Sequence, residues 1–219
     1  MDRSDPAYRG QSDYSRAMLR LYDPLVLGPI IRYVWRYPRE AGVRLYREHI
    51  HPNHLDVGPG TGYFLEHAGL PAGSKVTILD PNPNVLGHVT GRLRDLDVTA
   101  VEADVLKPLP MPGPFASAGL SAVLHCLPGP MERKALAIEN IARVLSPGGV
   151  LFGASVLGRA GRHTRIGRAF LWAFNKRGAF DNLDDTEAGL RDILERSFRD
   201  VQLEVVGGVA VFVATDPRR

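Results

Sequence analysis

Apolar positions along the chain change rhythm near residue 50. From about Tyr14 to about Ile50 the pattern is helical, broken near Pro24, Pro29 and Pro38, and rich in aromatics (Tyr14, Tyr22, Tyr33, Trp35, Tyr37, Tyr46). Beyond it, short apolar runs alternate with stretches of helical period. "HLDVG" predicts a first strand and "GYFLEHAGL" a helix; "KVTILD" predicts a second strand and "NPNVLGHVTGRLRDL" a helix. "VTAVEAD" predicts a third strand, followed by the proline-rich loop "PLPMPGP". "FASAGLSAVL" predicts a fourth strand, "GPMERKALAIENIARVL" an amphipathic helix, and "GGVLFGASVL" a fifth strand. An insertion over about residues 158–184 interrupts the alternation with "RIGRAFLWAFNKRGAF". The helix "TEAGLRDILERSF" follows, then two strands in "VQLEVVGGVAVFVAT" joined through Gly207 and Gly208. Strands alternating with helices predict an α/β fold in three layers, a parallel sheet covered on both faces. The final pair has no room for a helix between its strands and predicts an antiparallel C-terminal hairpin.

Composition narrows the classes without choosing among them. At 219 residues, 44% hydrophobic and 23% charged, the chain suits one globular domain. A net charge of +3 with dispersed basic residues argues against a nucleic-acid footprint. The exception is the run "GRAGRHTRIGR", which reads as a solvated loop or as a holder for an anionic acceptor. One cysteine, Cys126, excludes an intrachain disulfide, and the polar start "MDRSDPAYRGQSDY" shows no signal peptide. No apolar run approaches a membrane span. Together these features suggest a cytoplasmic protein whose oligomeric state the sequence does not give.

The chemistry gathers at the strand ends. In "DVGPGTG", Gly58, Gly60 and Gly62 form a turn where backbone can approach a ligand without a Cβ in the way, and the next helix N-terminus favours an anionic group. The dinucleotide pattern G-x-G-x-x-G would need glycine where Tyr63 stands. Here an acid, Asp56, precedes the first glycine by two residues, suited to the ammonium of an amino-acid moiety. Asp80 ends the second strand, where a carboxylate can accept two ribose hydroxyls. Asp104 ends the third and is placed to accept an adenine amine.

These motifs resemble the class I S-adenosylmethionine-dependent methyltransferases, from roughly His54 to the C-terminus. "LDVGPGTGYF" is similar to the family's glycine motif, "LDPNP" to its ribose motif and "EADVL" to its adenine motif; "SAVLHCLPG" and "RVLSPGGVLF" also match. The resemblance implies a Rossmann-like methyltransferase fold with a seven-stranded, mostly parallel sheet and an antiparallel last strand. It divides the chain into a helical N-terminal cap over residues 1–50 and a cofactor-binding core over 51–219 with its substrate-cap insertion. It implies S-adenosylmethionine as cofactor, released as S-adenosylhomocysteine. The implied cofactor residues are Asp56, Gly58, Pro59, Gly60, Gly62, Asp80, Pro81, Asn82, Asp104, Val105 and Ser121, with Tyr14 and Tyr22 closing over the crevice. One departure from many relatives is Ala116, where an acid commonly follows the aromatic that starts the fourth strand.

The acceptor is less legible. Methyl transfer is an in-line displacement whose chief demand is alignment. His125, after the fourth strand, is the candidate general base for a protonated acceptor, or a residue that simply lines the site. Metal-assisted catechol methylation would want an acid at this strand end, and Ser121 and Ala122 stand there, so no metal is expected. The signatures of DNA-base methylation are missing, and Cys126 reads as a small buried apolar residue. Aromatics of the insertion, Trp172 and Phe174, are the candidate acceptor contacts, although Phe170 and Phe174 share a helix face that also suits a core. The leading expectation is methylation of a small hydroxylated or heteroaromatic metabolite. A nonmethylating cofactor-binding member of the same fold carries the same motif and stays open.

Overall fold

The computed structural model describes residues 23, 24 and 26–218. Seven strands form one sheet: β1 His54–Val57, β2 Lys75–Leu79, β3 Asp97–Val101, β4 Phe115–Ser121, β5 Leu145–Val156, β6 Phe198–Val206 and β7 Val209–Pro217. Their spatial order is β3-β2-β1-β4-β5-β7-β6. Neighbours from β3 through β5 pair in parallel, and β7 runs antiparallel between β5 and β6. This is the expected mostly parallel sheet closed by a hairpin, with the turn at Gly207 and Gly208.

Among the described residues the α-helices that flank the sheet are α1 Arg39–His49, α2 Tyr63–Glu66, α3 Pro83–Arg92, α4 Met131–Val144, α5 Arg165–Lys176 and α6 Glu187–Ser197. Alternation along the strands sorts side chains to two faces. On one face, Leu55, Leu120, Leu151 and Phe212 pack with Ile138 and Ile141 of α4 and Ile193 and Leu194 of α6. On the other, Ile78, Phe152 and Val211 pack with Tyr46 of α1 and Val85 and Val89 of α3. Phe152 is fully buried, a contribution of about 2–3 kcal/mol for such a side chain.

Three boundaries differ from the sequence reading. The helix after β1 is a single turn, because the glycine turn and the loop beyond Glu66 leave it no apolar stripe to extend. β3 stops at Val101, so Asp104 lies in the turn beyond it. β5 begins at Leu145 and takes up "SPGG", with a register irregularity between Phe115 and Ser117 of β4. Preceding α1 is a π-helical segment, Val26–Val34; Pro29 falls in its first turn, where a missing N–H breaks no ladder bond. Pro38 caps α1, and the helix lies on the sheet, with Tyr46 edge-on to Phe152 at 5.0 Å and stacked on Phe64 at 5.4 Å.

Candidate functional site

The strand order reverses between β1 and β4, and ligands of such sheets settle in the crevice beyond the strand ends at that point. After β1 the chain enters the glycine turn with φ values of +65° at Gly58, +58° at Gly60 and +77° at Gly62, all left-handed. The reasons differ. A Cβ on Gly58 would lie 2.4 Å from Val123 Cγ2, and one on Gly62 would lie 3.0 Å from Val89 Cγ1, so packing demands those two glycines. A Cβ on Gly60 would meet no atom of the described residues within 4 Å, and Gly60 borders the cavity. Only Gly60 keeps its face clear for a ligand.

Asp56 sits below this turn, 1% exposed. Its Oδ2 lies 3.3 Å from His54 Nε2, while His54 Nδ1 is 2.8 Å from Ser117 Oγ. The Tyr46 hydroxyl lies in the same cluster, interacting with Asp56 and Ser121. A Cβ at Gly119 would fall 2.8 Å from Asp56 Oδ2, so that glycine makes room for the cluster. Asp56 Oδ1 is buried with no hydrogen-bond partner, an acceptor that suits a cationic neighbour. Asp80 follows β2, 9% exposed, and its Oδ1 accepts from the Asn82 N–H at 2.8 Å. Burial pushes its carboxyl up to about 7. Asn82 caps α3 behind Pro81 by accepting from Asn84 N at 3.0 Å. Asp104 Oδ1 accepts from Leu106 N at 3.0 Å, and Asn140 of α4 donates to the Val105 and Lys107 carbonyls, both at 2.9 Å. The two acids therefore stand on fixed turns after adjacent strands.

Past the glycine turn opens a cavity of about 270 Å³. Its walls include Ile31 and Trp35 of the lead segment, Tyr46, Phe64, and Phe174 and Phe180 of the insertion. Phe174 stacks on Phe180 at 4.9 Å, Trp35 lies 5.9 Å from Phe180, and the His125 ring meets Phe180 edge-on at 4.4 Å. Ser121, Ala122 and His125 line the side nearest β4, and Ala122 takes φ +60°, a strained value for a non-glycine residue. Among the described residues no carboxylate, ammonium or guanidinium lines this cavity.

Residues 55–153 match the family model described as a methyltransferase domain. Demethylluteothin O-methyltransferase of Streptomyces thioluteus is 39% identical over 207 residues, covering 94% of this chain and 90% of that protein. The chain belongs to the class I S-adenosylmethionine-dependent methyltransferases. The physcion biosynthesis cluster O-methyltransferase of Aspergillus chevalieri is 33% identical over the full length of both chains. The N-methyltransferase NodS of Bradyrhizobium japonicum, solved with S-adenosylhomocysteine, shares the fold with TM-score 0.62 at 20% identity, over 82% of this chain and 87% of its own. Of the two readings the cofactor motif left open, the relatives bear out the enzyme. No helix among the described residues is long and apolar enough to cross a membrane.

Within this methyltransferase, several expected residues converge. Gly58, Pro59, Gly60, Ser121, His125 and Phe174 all border the cavity. Tyr14 and Tyr22 lie outside the described residues. Trp172 does not reach the cavity: two residues from Phe174 on α5, it points the opposite way, is 62% exposed, and lies under Lys176 Nζ at 4.8 Å. Cys126 borders the cavity, and desolvation pushes its thiol up to about 12, far from a nucleophile's range.

His125 is 4% exposed, and its Nδ1 accepts the backbone N–H of Val156 at 3.2 Å, with Ser155 Oγ at 3.4 Å. A backbone N–H can only donate, so Nδ1 holds the lone pair and the neutral ring carries its proton on Nε2. Burial, then the nearby Lys134 charge, takes the ring's pKa down to about 3. This geometry works against the base expected from sequence.

Sequence reasoning missed what holds His125 and Phe180 together. Lys134 on α4 is fully buried and donates from Nζ to Asp185 Oδ2 and to the Asp181 carbonyl, both at 2.6 Å. Asp181 N donates to the His125 carbonyl at 2.9 Å, and Asp181 Oδ2 accepts from Gly129 N at 2.7 Å. The available signal was a lysine on the helix stripe it shares with Ile138 and Ile141. A second tie joins the lead segment to the glycine turn: Asp23 accepts from Thr61 Oγ1 at 2.5 Å and from Arg92 Nη1 at 2.6 Å.

Proposed function

We propose that the enzyme methylates a hydroxyl on a small, flat, uncharged aromatic acceptor. The observation that carries this reading is the cavity beside the glycine turn, walled by aromatic rings and lined by no charged side chain among the described residues. An acceptor bearing a full charge would lose hydration there without a compensating partner, whereas a planar ring can pack against Phe180 and Trp35. The likeness to O-methyltransferases supports oxygen as the acceptor atom.

S-adenosylmethionine, when bound, would supply an electrophilic methyl on a sulfonium for an acceptor oxygen, with a neutral thioether as its leaving group. This chain's part is to bind and align. Gly60 with Pro59 receives the methionine portion, and the unpartnered Asp56 Oδ1 is matched to its ammonium directly or through the Tyr46 network. Asp80 takes the ribose hydroxyls, with Asn82 and Pro81 shaping that turn. Asp104 and Val105 hold the adenine. We place this work in the cytoplasm, on the single cysteine, and assign no nucleic-acid role to the dispersed basic residues.

The test is incubation with S-adenosylmethionine and either demethylluteothin or 7-hydroxycoumarin, read by mass spectrometry. The expected product is the O-methyl ether, with no product from amines or carboxylates of the same size. Methylation of the charged set alone would overturn the proposal.

A further inference from the structure

We infer that His125 grips the acceptor's hydroxyl oxygen by donating from Nε2–H, and that the acceptor's proton leaves to water rather than to the protein. The inference rests on the reading of the cavity as the acceptor chamber. It begins with a valence count. The imidazole has one lone pair when neutral, and the Val156 N–H, 3.2 Å away, requires that lone pair to be on Nδ1. Ser155 Oγ at 3.4 Å adds a second contact on the same nitrogen. Nδ1 is thus turned toward β5 and spent. The side-chain hydrogen bonds of His125 to described residues both fall on Nδ1, leaving Nε2, across the ring, without a partner among them, and His125 borders the chamber. A group that presents only N–H can donate to an oxygen; it has no site there for a proton.

Protonating the ring would require Nδ1 to gain a hydrogen directed at the Val156 N–H, two donors face to face in a buried place. Lys134 sets a positive charge behind the ring through Asp181, whose N–H holds the His125 carbonyl. Burial and that charge keep the ring neutral over the ordinary working range. The other described residues bordering the chamber offer no substitute base: no carboxylate is among them, and the Cys126 thiol is held protonated.

The consequence is a narrower substrate class. The O–H bond breaks with its electron pair left on oxygen, and the proton goes to a water of the chamber mouth and on to bulk buffer. The resulting oxyanion is what Nε2–H stabilises, by a charge-assisted hydrogen bond. Phenols and enols, which ionise readily, fit this arrangement; aliphatic alcohols, which would need a protein base, do not.

The experiment uses the full chain loaded with S-adenosylhomocysteine and labelled with ¹⁵N in its histidine rings, with His125→Gln for assignment. The expected spectrum shows Nδ1 bare and Nε2 protonated from pH 8 down to pH 5. A proton on Nδ1, or a ring that titrates between those limits, would overturn the inference. Adding 7-hydroxycoumarin, with binding followed by its own fluorescence, should shift the Nε2–H resonance. His125→Leu should weaken that binding about tenfold, while His125→Gln, which retains an N–H donor, should stay within about threefold. Bound coumarin that leaves Nε2–H unmoved would overturn the donor contact. Coumarin that does not bind, with the expected tautomer present, would instead overturn the acceptor class proposed above.

Discussion

Replacing Asp80 by asparagine should make the cofactor-free protein more stable and the enzyme worse. Burial raises this carboxyl from 3.8 to about 7, with the Asn82 N–H as its compensating contact among the described residues. Three units at about 1.4 kcal/mol each put the cost of holding it ionised at about 4 kcal/mol. Asparagine keeps an oxygen for the Asn82 N–H but buries an amide N–H₂ at about 1–2 kcal/mol, leaving a net gain of about 2–3 kcal/mol at pH 8. For a chain of 219 residues that is a rise in Tm of roughly 5–10 °C. The sign follows from proton binding. Because the folded pKa lies above the unfolded one, the group's contribution to stability is complete below about pH 4 and is lost as pH rises toward 7. Asp80→Asn should therefore be about 1–2 kcal/mol less stable than the wild type near pH 4, cross it near pH 5, and exceed it progressively above that. Ribose hydroxyls donating to the carboxylate favour its charged form and draw the pKa back down. Cofactor binding near pH 6 should then release a proton, seen by titration calorimetry in two buffers of different ionisation heat. The variant should release none from this site and bind about 10- to 100-fold more weakly, the loss of hydrogen bonds to a charged acceptor. A variant no more stable than wild type at pH 8, or wild-type binding without proton release, would refute the reasoning.

Two further outcomes follow from the packing. Gly60→Ala should fold with a loss of only about 1 kcal/mol, the cost of its positive φ, because no atom of the described residues is near the new methyl. Its cofactor affinity should nevertheless fall at least tenfold by calorimetry, and unchanged affinity would show that the ligand does not approach there. Lys134→Met should cost about 3–5 kcal/mol in urea unfolding by stranding Asp185, whereas Lys134→Met with Asp185→Leu should recover most of it. If the double variant is no better than the single, the pair contributes more than mutual charge compensation.

The sequence revealed the parts of this molecule that repeat a local physical demand. Strands and helices were readable because burial on both faces of a parallel sheet imposes apolar runs of fixed length, and the hairpin was readable because Gly207 and Gly208 leave no space for a crossover. Asp80 and Asp104 were legible as candidates because strand ends in such a sheet share one edge. What stayed hidden depends on direction rather than on order along the chain. Periodicity placed Phe170 and Phe174 together but did not say that Trp172 must then face outward under Lys176. Three glycines looked alike in "GPGTG", yet two answer to Val123 and Val89 and only Gly60 to the open cavity. His125 is the sharpest case. Its position after β4 made it a candidate base, and no reading of "LHCLPG" reveals that a backbone N–H some 31 residues later occupies its lone pair. The chemistry of a buried imidazole is set by which of its nitrogens the fold consumes, and here the fold consumes the one that a base would need.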